Sequence, residues 1–144
     1  MWSDRMNKLK PLIMTGLLAL LFSVSCKKAI EKKVQNQIMD AITNGEWIVE
    51  QYFEADQNQS GQFLGYSFKF NSNGTLTGSI GSASTDGSWV PNTNDYTILS
   101  DFPAAGDPLK KLNGLWKIKD SYWDYVKAEM TTANGIKILK LRKK

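Results

Sequence analysis

Histidine is absent from this sequence, and cysteine occurs once, at Cys26. Without imidazole there is no Ser-His-Asp triad, no imidazole general base and no His-ligated zinc. One cysteine excludes an intramolecular disulfide, a paired-cysteine metal site and c-type haem attachment. Beyond Cys26 the only arginine is Arg142. No glycine-rich phosphate loop and no nucleophile elbow is present. Little remains from which to assemble an active site, so the reading is of a non-enzyme without metal or cofactor. The basic excess is also less than it looks. Lys and Arg number eleven in residues 46–144, and Asp and Glu also number eleven, so the net +4 sits wholly in residues 1–45. A neutral globular part lacks the basic face that nucleic acid requires, and no nucleic-acid partner is expected.

What is present begins with an address. Lys8 and Lys10 precede an apolar run from Pro11 to Val24, which ends in Ser-Val-Ser-Cys. A positive start, a short apolar stretch and a small residue before the cut make residues 1–25 a signal peptide, too short for a comfortable membrane span. Cys26 directly after Ser25 looks like the lipobox of bacterial lipoproteins, although Ser23 stands where that box usually has leucine. The alternative is an ordinary cleaved signal with a cysteine near the cut. By the lipobox resemblance Cys26 is the lipidation site, the membrane is a partner, and the location is the cell envelope. Lys27 and Lys28 follow, and the first acid is Glu31. By resemblance to Bacteroidetes lipoproteins, whose surface-directed members carry an acidic cluster there, an outer-membrane protein facing the periplasm is expected.

Residues 26–45 form the tether. Ile30, Val34, Ile38 and Ile42 recur at steps of four over 28–43, and Asn44-Gly45 supplies a stop, which predicts a helix. It reads as a spacer packed across one end of the next domain, or else as an amphipathic helix on the membrane surface.

From residue 46 the period changes from four to two. Eight alternating segments follow: 46–54, 65–70, 75–82, 87–90, 95–99, 115–119, 122–130 and 136–142. Asn73-Gly74 and Asn134-Gly135 are hairpin turns, and Pro91 ends the fourth segment. Strands at this spacing with no helical period between them predict an all-β barrel or sandwich over 46–144, not a parallel α/β fold. Five tryptophans in 144 residues suit a β-rich core. A turn residue, a glycine, a spacer and a tryptophan recur at 44–47, 86–89 and 113–116, each delivering a large ring to the start of a strand.

With those residues in order, the chain resembles the lipocalin (calycin) superfamily, and more closely the short lipocalin-like lipoproteins of Bacteroidetes. The resemblance rests on Gly45 and Trp47, on Phe68 to Thr75, on Gly87 and Trp89, and on the basic end Lys140 to Lys144. It implies an eight-stranded antiparallel up-and-down barrel. It also implies that a basic residue near the chain end stacks over the first-strand tryptophan, for which Arg142 over Trp47 is the candidate. Gly45, Trp47 and Arg142 are thus structural residues.

Such a barrel is either filled by its own side chains or holds one small ligand. The ligand-binding candidates are Tyr66, Phe68, Trp89, Tyr96, Trp116 and Trp123, around an apolar pocket for a small hydrophobic ligand in a monomer. The alternative is a filled barrel that engages a protein partner through its loops. The loop 101–113 is long enough to form a lid. Asp56 to Gly61 has the head of an EF-hand loop, but Ser67 occupies the twelfth position, so it reads as a polar hairpin. Asp120, Asp124 and Glu129 read as a solvated face.

Overall fold

The computed structural model describes residues 28–29 and 31–144. Residues 1–25, read above as a signal peptide, lie outside the described residues, as do Cys26, Lys27 and Ile30. The chain divides into two compact units between Ile38 and Met39. The described part of the first unit is helical, and the helix α1 runs over residues 31–43, so its last turn belongs to the second unit. It stops where Asn-Gly predicts: the Asn44 N–H returns to the Asp40 carbonyl at 3.1 Å, and Gly45 takes φ +89°. Among the described residues no helix is long and apolar enough to cross a membrane.

The second unit is a closed, antiparallel, up-and-down barrel of eight strands. These are β1 (Trp47–Glu54), β3 (Tyr66–Phe70), β4 (Thr75–Ile80), β5 (Ala83–Asn92), β6 (Thr97–Asp101), β7 (Gly114–Ser121), β8 (Tyr125–Thr132) and β9 (Gly135–Lys143). A two-residue strand, β2 (Gln57–Asn58), folds back on β1 outside this count. Each strand pairs with its successor, and β1 pairs with β9 to close the circle. The eight predicted segments all became strands.

Two irregularities decide which rings face inward. The β1–β9 register slips between Val49 and Gln51. One extra residue reverses the side-chain alternation beyond it. Trp47 therefore points in before the bulge, and Tyr52, not Phe53, is fully buried after it. The second concerns β8, which starts at Tyr125, three residues later than the predicted segment. Its inward positions are Val126, Ala128 and Met130, which fill the core, and Tyr125 lies outside with Lys140 5.6 Å from its ring centroid.

Pro91 lies inside β5 opposite Ile98 and does not end it. The β4–β5 ladder already stops at Thr75–Ser88, so the proline needs to donate to no strand on that side. The core is closed by Phe68, Phe70, Leu76, Trp89, Trp116, Leu139 and Leu141 from the strands, with Phe63 and Phe102 from the connections.

Candidate functional site

Three places on the barrel bear on function: its interior, the seam between β1 and β3, and the turns at its two ends.

The interior is nearly full. A cavity described there measures about 40 Å³ and is lined by Phe68, Phe70, Leu76, Trp116, Leu139 and Leu141 among others. Its one polar lining residue is Ser100, whose hydroxyl donates to the Leu112 carbonyl. Sites for small molecules typically measure about 300–1,000 Å³.

Both ends are shut. At the end where strand β1 begins, the Trp47 indole N–H donates to the Ile42 carbonyl at 2.9 Å, which brings the last turn of α1 onto the barrel. Lys143, not Arg142, lies over the Trp47 ring, 5.3 Å from its centroid. The reason is parity: Lys143 pairs opposite Trp47 and shares its face, while Arg142 pairs opposite Ile48 and points outward. There Arg142 donates to Glu50 at 2.9 Å and meets Asp124 at 3.4 Å. These bonds hold the Glu50 carboxyl below its ordinary value, the Arg142 hydrogen bond first and the Lys140 bond next.

The other end is closed by the segment 102–113. Phe102, Leu109 and Leu112 are buried, so the loop expected as a lid is packed as a plug. The Asn113 side chain binds the Phe102 backbone, accepting from its N–H at 2.7 Å. Lys111 bonds Glu54 at 2.8 Å, and Lys137 reaches the same carboxylate at 3.1 Å. The Lys111 hydrogen bond, chiefly, holds the Glu54 carboxyl below its ordinary value. Tyr52 donates to the Lys111 carbonyl at 3.4 Å, and burial pushes its phenol well above the usual tyrosine range.

The seam is the weak point of the wall. β1 and β3 pair at one position only, Trp47 with Phe68, whereas the other ladders between barrel strands run to between four and eight pairs. Phe63 turns in beneath the gap, with Tyr52 at 5.1 Å between ring centroids. Above it lies a groove of about 200 Å³ lined by Ile48, Val49, Leu64, Tyr66 and Lys144 as well as Phe63.

The six ligand-binding candidates therefore separate. Phe68 and Trp116 line the interior cavity. Trp89 is buried beside Phe70 at 5.2 Å and donates to the Asn71 carbonyl, as a core residue. Tyr66 lines the seam groove. Tyr96 and Trp123 are not in the interior at all. Tyr96 occupies the β5–β6 turn at φ +53°, and Trp123 the β7–β8 turn, both exposed. The strand period carried past the true strand starts at Thr97 and Tyr125, which placed them wrongly.

Sequence reasoning missed Tyr52, hidden by the bulge, and Phe63, Phe102, Leu109 and Leu112, hidden in connections that have no strand period. It also missed an outer apolar row. Val90 pairs opposite Leu99, and Leu99 opposite Leu115, and all three are exposed on the barrel's outside. At the Asp56 loop, the Asn58 side-chain oxygen accepts from both the N–H and the hydroxyl of Ser60, and so turns into its own loop. Among the described residues no group of three or more His, Cys, Asp or Glu is placed to hold a metal ion.

The fold has a solved counterpart. A crystal structure of a DUF4847 family protein from Bacteroides vulgatus ATCC 8482 superposes with a TM-score of 0.52. The likeness is one of fold. Identity is 13%, over 73% of this chain and 96% of that one. No family model matches the chain, and neither does any curated protein.

Proposed function

We propose that this chain is a lipid-anchored, lipocalin-like barrel of the cell envelope that acts through its outer surface, as an interaction module for a protein partner. The observation that carries the reading is the interior: about 40 Å³, apolar, with a packed plug at one end and Trp47 at the other. An open carrier needs several times that volume. The row Val90–Leu99–Leu115 supports the same reading, since it puts three aliphatic side chains side by side on the outer wall. Adjacent exposed apolar groups of this kind are a usual feature of association surfaces.

Cys26 is the anchor in this proposal, facing the periplasm, with the globular part a monomer in the absence of its partner. Native mass spectrometry of the full chain, purified with its lipid, tests it. The expected result is a bare protein plus the Cys26 lipid, with no extractable ligand and no uptake of added fatty acids or retinoid-like probes. A stoichiometric adduct lost on denaturation would overturn it.

One observation favours a second reading. The seam groove is large enough for part of a small hydrophobic ligand, and Tyr66 lines it. An adduct that disappears in Tyr66→Ser but persists in Trp116→Phe would support ligand binding at the seam.

A further inference from the structure

The exposed aromatic residues of the barrel are not spread evenly. Among the described residues the exposed Tyr and Trp side chains are Tyr96, Tyr122 and Trp123, at 54%, 65% and 62%. All three sit in turns at one end. That end is also where the chain comes into the barrel unit. The Lys143 N–H donates to the Asp124 carbonyl at 2.8 Å, in the turn that holds Tyr122 and Trp123. The Lys143 ammonium in turn donates to the Ala41 carbonyl at 3.2 Å, in the last turn of α1. One residue thus ties the aromatic turn to the segment that leads back to Cys26. Tyr96 is at the same end, since its carbonyl accepts from the Ile118 N–H at 2.8 Å and β7 runs on from there to the turn.

The turn is built to present its rings. The Tyr122 N–H closes on the Tyr125 carbonyl at 2.9 Å, and the Tyr122 and Trp123 rings lie 6.4 Å apart. Its acids are neutralised or occupied. Asp124 faces Arg142 at 3.4 Å, and Asp120 accepts from the Tyr125 hydroxyl at 2.9 Å. Asp124 is thus paired with a cation, while Asp120 keeps its charge, because a hydrogen bond from a neutral phenol does not cancel it. Amphipathic rings with one polar atom each are the side chains that settle at a membrane–water interface.

We infer that this end of the barrel docks on the lipid surface, with Trp123 and Tyr122 at the headgroup level and Tyr96 beside it. The inference rests on the lipid-anchor reading of Cys26. Cys26 is thirteen residues before Met39, at most about 45 Å of chain even fully extended, so the anchor keeps this end within reach of the bilayer. Two acyl chains hold the protein there unaided. What the aromatic turns add is orientation: they set the anchored end down and turn the 102–113 plug and Leu64 toward solution.

The test uses the full chain carrying its own lipid, in vesicles of phosphatidylethanolamine and phosphatidylglycerol with lipids brominated near the headgroup. Trp47, Trp89 and Trp116 are no more than 3% exposed, so Trp123 is the described tryptophan that reports contact. The expected result is quenching of its emission by the brominated lipid, and acrylamide quenching reduced by roughly half on binding to vesicles. Both effects vanish in Trp123→Phe. Emission that stays open to acrylamide and untouched by brominated lipid, in a vesicle-bound chain, overturns the docking. The intact mass reports the anchor separately. If Cys26 carries no lipid, the anchor reading fails, and the same quenching at high vesicle concentration still decides the docking.

Discussion

The Lys143 ammonium lies 5.3 Å from the centre of the Trp47 ring and donates to the Ala41 carbonyl at 3.2 Å. One cation thus caps the last turn of α1 and covers the ring on which that turn rests. Lys143→Ala should lower stability by about 1–2 kcal/mol, the range for a partly desolvated cation–π contact with a hydrogen bond. Arg142→Ala removes exposed, solvent-screened ion pairs and should cost less than Lys143→Ala. Urea unfolding of the two variants orders the residues, and a larger loss for Arg142 would reverse the assignment.

Leu139 lines the small internal cavity. Leu139→Ala should destabilise by about 2–5 kcal/mol, because the surrounding rings can collapse only in part. The enlarged cavity is apolar and should take up xenon or benzene, which the parent barrel should not. Thermal shift with and without benzene checks both halves.

Gly87 and Gly106 make a paired test of glycine. A Cβ on Gly87 would run into the Asp101 carbonyl and come within 2.8 Å of the Phe102 ring. A Cβ on Gly106 would meet nothing within 4 Å. Gly87→Ala should therefore cost about 1–3 kcal/mol or more. Gly106→Ala should fall within about 0.5 kcal/mol of the parent. Equal midpoints in a denaturant titration would refute the contrast.

The Glu50 and Glu54 carboxyls are held below their ordinary values in the folded chain, each by a basic hydrogen-bond partner. The unfolded chain thus binds these protons first as pH falls. The stability they contribute is fully present above the unfolded glutamate value of about 4.3 and is lost as pH drops through the lower folded values. Glu54→Gln should flatten part of that acid limb. Tyr52 acts at the other extreme. Its raised folded value means that stability is lost as pH rises beyond about 10, where the unfolded phenol ionises. Tyr52→Phe should reduce that alkaline loss. Midpoints measured across pH test both limbs.

The eight strands were legible because each carries its own period of two and is bounded by turn residues. What was not legible came from events between strands. The slip at Val49–Gln51 reverses the inward face, so Tyr52 replaces Phe53, and nothing local in Trp47–Glu54 signals it. Buried Phe63, Leu109 and Leu112 come from 3₁₀ turns whose side chains answer to tertiary neighbours. Arg142 and Lys143 are equally basic, and only the register tells which one faces Trp47. Of the site, Phe68 and Trp116 were placed in the interior correctly, while Tyr96 and Trp123 lie at hairpin tips whose alternation looks like strand.

The ladder that completes the barrel joins β1 to β9, and its first pair is Trp47 with Lys143, ninety-six residues apart. Closing a loop of that length costs about 4 kcal/mol in chain entropy from its length alone. The ring cannot be completed on a ribosome before residues up to Lys143 have been made, so a growing chain is always a partial, open sheet. Contacts of such long range also make folding slow. A sheet that stays open until Lys143 has been added keeps its apolar face uncovered until then, so the order of strands sets how long in its synthesis this barrel exposes its own core.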